Sequence, residues 1–240
     1  MPNPTAAMLV IGDEILSGRT RDANMHFLAG QLTQAGIDLR EVRVVSDDRD
    51  AIIKAVRSLS DGYDHVFTSG GIGPTHDDIT ADCIAAAFDT PIDIRDDARA
   101  LLQAHYDASG KELNDARLRM ARIPDGAALI DNPVSVAPGF TLHNVYVMAG
   151  VPSVFQAMVA SVLPSLVGGA PLQSRTLPLM KGEGDVAAPL AAFAKEHSDI
   201  SVGSYPFQKE GVYGTNLVLR GQDADRLDAA LEGLKKVFDV

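Results

Sequence analysis

The sequence predicts an α/β fold in which a doubly wound, mostly parallel sheet has helices on both faces and a small α+β domain follows. Short apolar runs that suit buried strands alternate with segments of helical spacing over the first part of the chain. Parallel strands need a crossover connection, which a helix supplies, so this alternation indicates a parallel sheet. Residues 168–171 (Gly-Gly-Ala-Pro) break the preceding helix. We therefore expect one domain over residues 5–168 and a smaller one over residues 172–240.

The first five elements alternate strictly between strand and helix. An apolar run at 6–11 predicts a buried strand, and 22–35 has helical spacing up to the stop at Gly36. Residues 37–45 alternate as a strand does, and a helix with Ile52, Val56 and Leu59 follows Asp47 or Asp48, either of which can cap it. Residues 65–69 complete the series as a short strand.

The rest of the chain is less regular. We expect helices at 78–88, 96–109 and 114–121, a hairpin that pairs 136–142 with 145–148 across His143 and Asn144, and a helix at 153–167. The smaller domain is predicted to contain strands near 175–180, 200–205 and 215–220, with helices near 186–197 and 224–238.

Composition restricts the class of function. The net charge of −11 and the pI near 4.9 argue against a nucleic-acid surface, which needs clustered Lys and Arg. A compact phosphate ligand remains possible, because backbone N–H groups can hold it. The single cysteine, Cys83, cannot form an intramolecular disulfide, and the first residues contain neither a basic signal region nor a membrane-length apolar run. We expect a cytoplasmic protein without membrane or nucleic-acid partners.

The most informative segment is the glycine-rich loop at residues 69–80, which follows a strand and enters a helix. In open α/β sheets ligands bind beyond the carboxyl ends of the strands, where glycines let an anion approach the backbone N–H groups. No Gly-Lys-Ser/Thr follows, and His76 replaces the third glycine of a dinucleotide fingerprint, so neither an ATPase nor a dehydrogenase is supported. A phosphate cradle and a purely structural turn both remain open.

Acidic residues accompany this loop. A carboxylate beside bound phosphates needs a bridging cation, and Mg²⁺ is the natural one. Asp78 is the better metal ligand and Asp77 the better helix cap, while Asp47 and Asp48 at the same sheet edge are either caps or further ligands. A second polar loop begins at Gly12, Asp13 and Glu14 and ends at Asn24; in it Arg19 or Arg21 can pair with a phosphate and Asn24 can bond a ligand or cap a helix.

Four stretches together, residues 12–16 with Asn24, 69–80, 132–140 and 150–153, resemble the molybdopterin-binding (MoCF) family. Within this family they resemble the N-terminal domain of competence/damage-inducible protein A, which is related to the molybdopterin-binding domain of some FAD synthetases. The resemblance implies the molybdenum-cofactor biosynthesis fold and a phosphate pocket in which Asp47 and Asp78 are catalytic and hold Mg²⁺. The ligand-binding residues that it implies are Gly12, Asp13, Glu14, Asn24, Ser69, Gly70, Gly71, Gly73, Pro74, Asp77, Asn132, Pro138, Gly139, Gly150, Pro152 and Ser153.

Competence-type members are associated with metal-dependent cleavage of ADP-ribose, so the resemblance implies a Mg²⁺-dependent pyrophosphatase. The alternatives are a non-catalytic module that binds molybdopterin or another pterin, and adenylyl transfer to molybdopterin. Ala149 replaces a proline, and Val154 stands where competence-type members usually carry Glu, which favours binding without turnover. The partner expected is a small phosphate ligand, and by analogy the protein is expected to be a homo-oligomer.

Overall fold

The computed structural model describes residues 2–209 and 211–240, and the chain divides into two compact units, Met1–Gly169 and Ala170–Val240. The elements of the first unit are β1 (Thr5–Ile11), α1 (Asp13–Leu16), α2 (Asn24–Gln34), β2 (Asp38–Val45), α3 (Arg49–Gly62), β3 (His65–Ser69), α4 (Thr80–Ala87), β4 (Ile92–Ile94), α5 (Asp96–Ala108), α6 (Asp115–Leu118), β5 (Arg122–Pro124), β6 (Ala128–Ile130), β7 (Gly139–Leu142), β8 (Val145–Met148) and α7 (Pro152–Val162). Short 3-10 turns occupy Arg119–Ala121 and Leu163–Ser165.

A six-stranded sheet in the order β2-β1-β3-β8-β7-β6 forms the centre of the first unit. Strand β1 pairs in parallel with β2 and β3, and β3 pairs in parallel with β8, whereas β7 is antiparallel to β8 and β6 is antiparallel to β7. The sheet is therefore mixed with a parallel majority, which confirms the predicted fold class.

Both faces of this sheet are covered. In β1 the side chains of Leu9 and Ile11 face one core, and those of Met8 and Val10 face the other. Helices α3, α4 and α5 pack on the first face, while α2 and α7 pack on the second. A strand that is buried on both faces is apolar throughout, which explains why residues 6–11 have no polar alternation.

Some boundaries differ from the sequence prediction. The hairpin of β7 and β8 forms, with Phe140 opposite Val147, but β7 begins at Gly139 instead of residue 136, where Val136 has a φ of +66° and cannot belong to a strand. Helix α4 begins at Thr80 instead of residue 78. The helix predicted at 114–121 is a four-residue helix followed by a 3-10 turn, and the three-residue strands β4, β5 and β6 were not predicted.

The second unit contains β9 (Gln173–Leu179), α8 (Glu183–Glu196), β10 (Ser201–Lys209), β11 (Val212–Gly221) and α9 (Ala224–Phe238). Its antiparallel sheet has the order β10-β11-β9. Leu177 and Leu217 of the sheet pack against Val186 of α8 and Leu227 of α9. This is the β-α-β-β-α order that the sequence predicts, although the hairpin of β10 and β11 is longer than expected. Within the described residues, no helix has both the length and the apolar content to cross a membrane.

Candidate functional site

A cavity of about 570 Å³ lies at the carboxyl ends of the parallel strands. Its walls come from the loops that follow β1, β2, β3 and β8, together with the turn before β7 and Met120 of the 3-10 turn. This volume falls within the range of small-molecule sites. The predicted site residues that line it are Gly12, Glu14, Asp47, Gly70, Gly71, Gly73, Pro74, Asp77, Asp78, Asn132, Gly150 and Pro152.

The glycine loop is held at both ends by hydrogen bonds. The Gly70 N–H donates to the Met148 carbonyl (3.1 Å), and a Cβ on Gly70 would lie 2.2 Å from the Ile11 carbonyl oxygen. At the far end, the Thr80 N–H donates to the Gly71 carbonyl (3.0 Å). Close backbone packing at the end of β1 therefore explains why a glycine is needed at position 70.

The middle of the loop is different. Within the part of the chain that the structure describes, the N–H groups of Gly71, Ile72 and Gly73 make no hydrogen bond. All three residues line the cavity, and Pro74, which follows them, has no N–H to offer. Consecutive unpaired amides beside a cavity at a sheet edge form the arrangement that binds anions.

Asp77 and Asp78 do not cap helix α4, because that helix begins at Thr80 and has no side-chain cap. The capping interpretation of Asp77 is therefore wrong. The Asp78 carboxylate instead accepts hydrogen bonds through Oδ2 from the N–H (2.8 Å) and the hydroxyl of Thr75. It lies so close to the loop that a Cβ on Gly73 would be 2.7 Å from the same oxygen. Asp78 thus orders the loop as well as lining the cavity.

Asp47 lies in an acidic environment. Its Oδ2 accepts a hydrogen bond from the Asp13 N–H (2.9 Å). Burial raises the pKa of Asp47, and the Asp13 N–H offsets part of this effect; the carboxylates of Asp13, Glu14 and Asp77 raise the pKa further. Asp48, and not Asp47, caps α3 by accepting from the Ala51 N–H (2.8 Å).

The two acids predicted as a metal pair are therefore not equivalent. Of the two acids that follow the glycine loop, Asp77 is the one that raises the pKa of Asp47, whereas the Asp78 carboxylate is hydrogen-bonded to Thr75. Among the described residues, no three His, Cys, Asp or Glu side chains are grouped so that they could hold a metal ion. A cation here would have to complete its coordination with ligand oxygens and water, as Mg²⁺ commonly does.

Asn24 connects two loops and does not line the main cavity. Its side chain is buried, and Nδ2 donates to Ser69 Oγ (2.8 Å) and to the Gly150 carbonyl (2.8 Å). Its Oδ1 is buried and has no partner among the described atoms. Asp22 caps the following helix by accepting from the Met25 N–H (3.0 Å). Asn24 thus holds the loops after β3 and β8 together, and its contact with a ligand stays a prediction.

Asn132 orders the turn before β7. Its Nδ2 donates to Ser135 Oγ (2.7 Å) and to the Ala137 carbonyl (2.7 Å), and its Oδ1 accepts from the N–H groups of Val134 and Ser135. The side-chain amide is thus used within the turn, although the residue lines the cavity. Ser135 also lines the cavity, and its hydroxyl proton remains available because Oγ acts as the acceptor of Asn132.

Several predicted ligand residues lie outside the main cavity. Asp13 lines an adjoining open depression with Glu14 and Arg19, and Ser69 lines a small side cavity with Asn24. Gly139 serves packing, since a Cβ there would lie 2.4 Å from the Val147 carbonyl oxygen. The other two are Pro138, which lines a separate small cavity, and Ser153, which is exposed.

Met120 lines the cavity and was not predicted. It lies in a 3-10 turn, and no motif in the sequence distinguishes it from an ordinary core methionine. Val154 also lines the cavity and is buried, so the position that carries Glu in competence-type members presents an apolar surface here.

Residues 7–167 match the family model described as a probable molybdopterin binding domain. The chain belongs to this molybdopterin-binding family. Residues 171–239 match a second model, described as the middle domain of FAD synthase. The first match lies within the first compact unit and the second match within the second.

Known relatives place the chain with the CinA type of this family. A crystal structure of the protein CinA from Thermoplasma acidophilum is 35% identical, with a TM-score of 0.62 over 68% of this chain and 97% of that one. A CinA-like protein of Citrifermentans bemidjiense is 38% identical over 68% of this chain and 40% of its own length. A probable FAD synthase of Caenorhabditis elegans is 32% identical over 98% of this chain, which spans about half (50%) of that relative.

Proposed function

We propose that the protein binds a phosphate-bearing nucleotide or pterin in the main cavity, with a phosphate group on the N–H groups of Gly71, Ile72 and Gly73. The observation that carries this proposal is that these three amides are unpaired and border a cavity of about 570 Å³. Family membership supports a pterin- or nucleotide-like ligand. Apolar side chains on other parts of the wall, Met120, Val151 and Val154, suit a flat ring system.

The charge of the cavity argues that the phosphate binds together with a cation. Glu14, Asp47, Asp77 and Asp78 line it, and no lysine, arginine or histidine is among the described residues that do. A phosphate dianion would be repelled by these carboxylates unless a positive ion lay between them. Mg²⁺ suits carboxylate and phosphate oxygens, and Asp47 with Asp77 or Asp78 would hold it. When bound, Mg²⁺ supplies charge neutralisation and orients the phosphates.

Hydrolysis of an ADP-ribose-like pyrophosphate is the reaction that we propose for this site. Water adds to one phosphorus, the bridging P–O bond breaks, and a cavity carboxylate accepts the proton of the attacking water. The products are AMP and ribose 5-phosphate. The N–H groups of Gly71 to Gly73 would stabilise the charge on the non-bridging oxygens during this step. His76 is not the proton acceptor in this arrangement, because its side chain is 98% exposed and does not line the cavity.

A second candidate is a non-catalytic module that binds a pterin or nucleotide without turnover. Val154 favours it, because this buried side chain offers no carboxylate at a position where competence-type members usually have one. Adenylyl transfer to molybdopterin is a third candidate; it agrees with the likeness to a probable FAD synthase, whose name denotes formation of an adenylylated cofactor.

Incubation of the purified protein with ADP-ribose and Mg²⁺, followed by assay for AMP, tests the proposal. We expect the wild type to form AMP. In Asp47→Asn we expect the rate of AMP formation to fall at least about tenfold, because the substitution removes the charge of a proposed metal ligand. Asp48→Asn is the matched control, since Asn caps helices as well as Asp and this residue does not line the cavity. Absence of AMP combined with thermal stabilisation by ADP-ribose would favour the binding module.

Self-association is a further part of the proposal and rests on the family resemblance. Closed symmetric homo-oligomers are the commonest assemblies of soluble proteins. Light scattering during size-exclusion chromatography would give the mass of the particle, and a mass equal to the single chain of 25.4 kDa would contradict this part.

A further inference from the structure

Arg119 lies behind the glycine loop, beside a second, much smaller cavity. That cavity has a volume of about 20 Å³, enough for roughly one water molecule. It shares Gly71, Ile72, Gly73 and Asp78 with the main cavity, so the loop forms a wall of both. Arg119 lines only the small one. The guanidinium group is therefore next to the loop but not in the main cavity.

Arg119 has no hydrogen bond to a carboxylate among the described residues, although Asp78 and Asp82 line the same small cavity. One Nη2–H donates to the backbone carbonyl of Asp78 (3.2 Å), whereas Nε is buried and has no partner. In the described parts of the chain no carboxylate lies within 4.0 Å of this guanidinium.

Two neighbouring arginines have other interaction partners. Arg122, which lines the same small cavity, is paired with Asp82 (2.5 Å). Arg117 donates to the Glu112 carbonyl and lies over the ring of Tyr106. Within the described structure neither Arg117 nor Arg119 has a carboxylate partner, but of these two only Arg119 lines the small cavity behind the glycine loop.

A partly buried guanidinium without a carboxylate lowers the stability of the ligand-free protein, because its desolvation is not repaid by an ion pair. An anion on the amides of Gly71 to Gly73 would supply the missing negative charge from the other side of the loop. A peptide layer between the two charges screens them less than water does. The main cavity has no cationic side chain of its own among the described residues, so the charge of Arg119 would contribute strongly to the binding of an anion there.

We propose that Arg119 is a positioning residue for the phosphate of the bound ligand: it holds the backbone at Asp78 and places a positive charge behind the loop amides. This inference rests on the proposed function, since it requires a phosphate at the loop. It assigns recognition of the ligand's charge to a residue outside the cavity and recognition of the ring to the apolar wall.

The test is calorimetric titration of the full chain with inorganic pyrophosphate and with ADP-ribose, each in the presence of Mg²⁺, using wild type, Arg119→Gln, Arg119→Lys and the control Arg117→Gln. We expect Arg119→Gln to weaken both ligands by about tenfold, the size of one charge-assisted interaction. Arg119→Lys should stay within about threefold of the wild type, since the charge is kept, and Arg117→Gln should not differ from it.

The ligand-free Tm supplies a readout that a purely structural role would move in the opposite direction. If Arg119 carries an uncompensated charge, the ligand-free Tm of Arg119→Gln is equal to or above that of the wild type. A lower Tm together with equal loss of affinity in Arg119→Gln and Arg119→Lys would overturn the inference, as would affinities within twofold of the wild type in both variants. If the wild type itself binds neither ligand, the proposed function fails as well. If the wild type binds both ligands and one of these two outcomes is found, only the role of Arg119 is overturned.

Discussion

Gly71 packs directly against Thr80: a Cβ on Gly71 would lie 2.1 Å from Thr80 Oγ1. The φ of Gly71 is +70°, in the left-handed region that glycine tolerates best. The same hydroxyl donates to the Gly70 carbonyl (3.0 Å). The first residue of α4 therefore packs against the glycine loop and holds the Gly70 carbonyl through its hydroxyl.

Gly71→Ala should lower the free energy of unfolding by about 2–4 kcal/mol, because left-handed strain and the clash with Thr80 add together. Urea denaturation measures the effect. Gly110→Ala is the matched control, with φ +65° and no atom within 4 Å of the added Cβ. It should cost only about 1 kcal/mol, from backbone strain alone. Equal losses in the two variants would show that the contact with Thr80 has no energetic weight.

Asn24→Asp should destabilise the protein by about 3 kcal/mol, since a buried carboxylate would replace a donor that faces the Gly150 carbonyl. The measurement is again denaturation in urea at neutral pH. Asn114→Asp, at the exposed N-cap of α6, should change stability by less than about 0.5 kcal/mol because Asp caps equally well. A loss below 1 kcal/mol at position 24 would mean that this tie between loops is dispensable.

The central strands were readable from sequence because burial on both faces leaves a continuous apolar run, as in residues 6–11. The strands β4, β5 and β6 could not be predicted, because three residues of mixed burial are too few to show a hydrophobic alternation. The start of α4 at Thr80 was missed for a different reason. An Asp pair before an apolar segment resembles a helix cap, whereas here Asp78 caps the turn at Thr75.

The pKa of Asp47 is raised above its ordinary value of 3.8, so the folded protein holds a proton there more tightly than the unfolded chain does. Ionised Asp47 therefore lowers stability at pH values above the folded pKa, and this penalty disappears as the pH falls towards 3.8. Without metal, Asp47→Asn should raise the free energy of unfolding at pH 7, by less than about 1 kcal/mol because solvent screens the site.

Urea titrations of both proteins from pH 7 down to about pH 3.5, just below the ordinary pKa of an aspartate, would show whether the difference shrinks on acidification. Adding Mg²⁺ with pyrophosphate should stabilise the wild type more than Asp47→Asn. A variant that is less stable than the wild type at pH 7 would contradict the acidic environment assigned to Asp47.

Val136→Gly should stabilise the protein by about 0.5–1 kcal/mol. The backbone strain of a β-branched residue at φ +66° exceeds the entropic cost of the more flexible unfolded chain that glycine gives. Thermal denaturation detects this change. Val134→Gly, in the same turn but without a positive φ, should instead lower stability by a similar amount. If both glycine variants are destabilised alike, the turn at Asn132 does not strain Val136.

Of the 18 site residues named from the sequence, 12 line one cavity, and this count includes Asp47 and Asp78. What sequence could not reveal was the direction of each side chain. Asn24 and Asn132 bear amides that suit a ligand, yet both are used to hold backbone carbonyls. Arg119 lacked any motif, and only the structure shows it without a carboxylate beside the glycine loop.

The most direct test of the account is an NMR titration that follows the backbone amide resonances while inorganic pyrophosphate is added with Mg²⁺. The N–H groups of Gly71, Ile72 and Gly73 are unpaired in the described structure and are the proposed contacts. We expect their resonances to shift most and in a saturable manner. Resonances of these three residues that stay unmoved at saturating ligand, or the largest shifts at residues far from the loop, would contradict it.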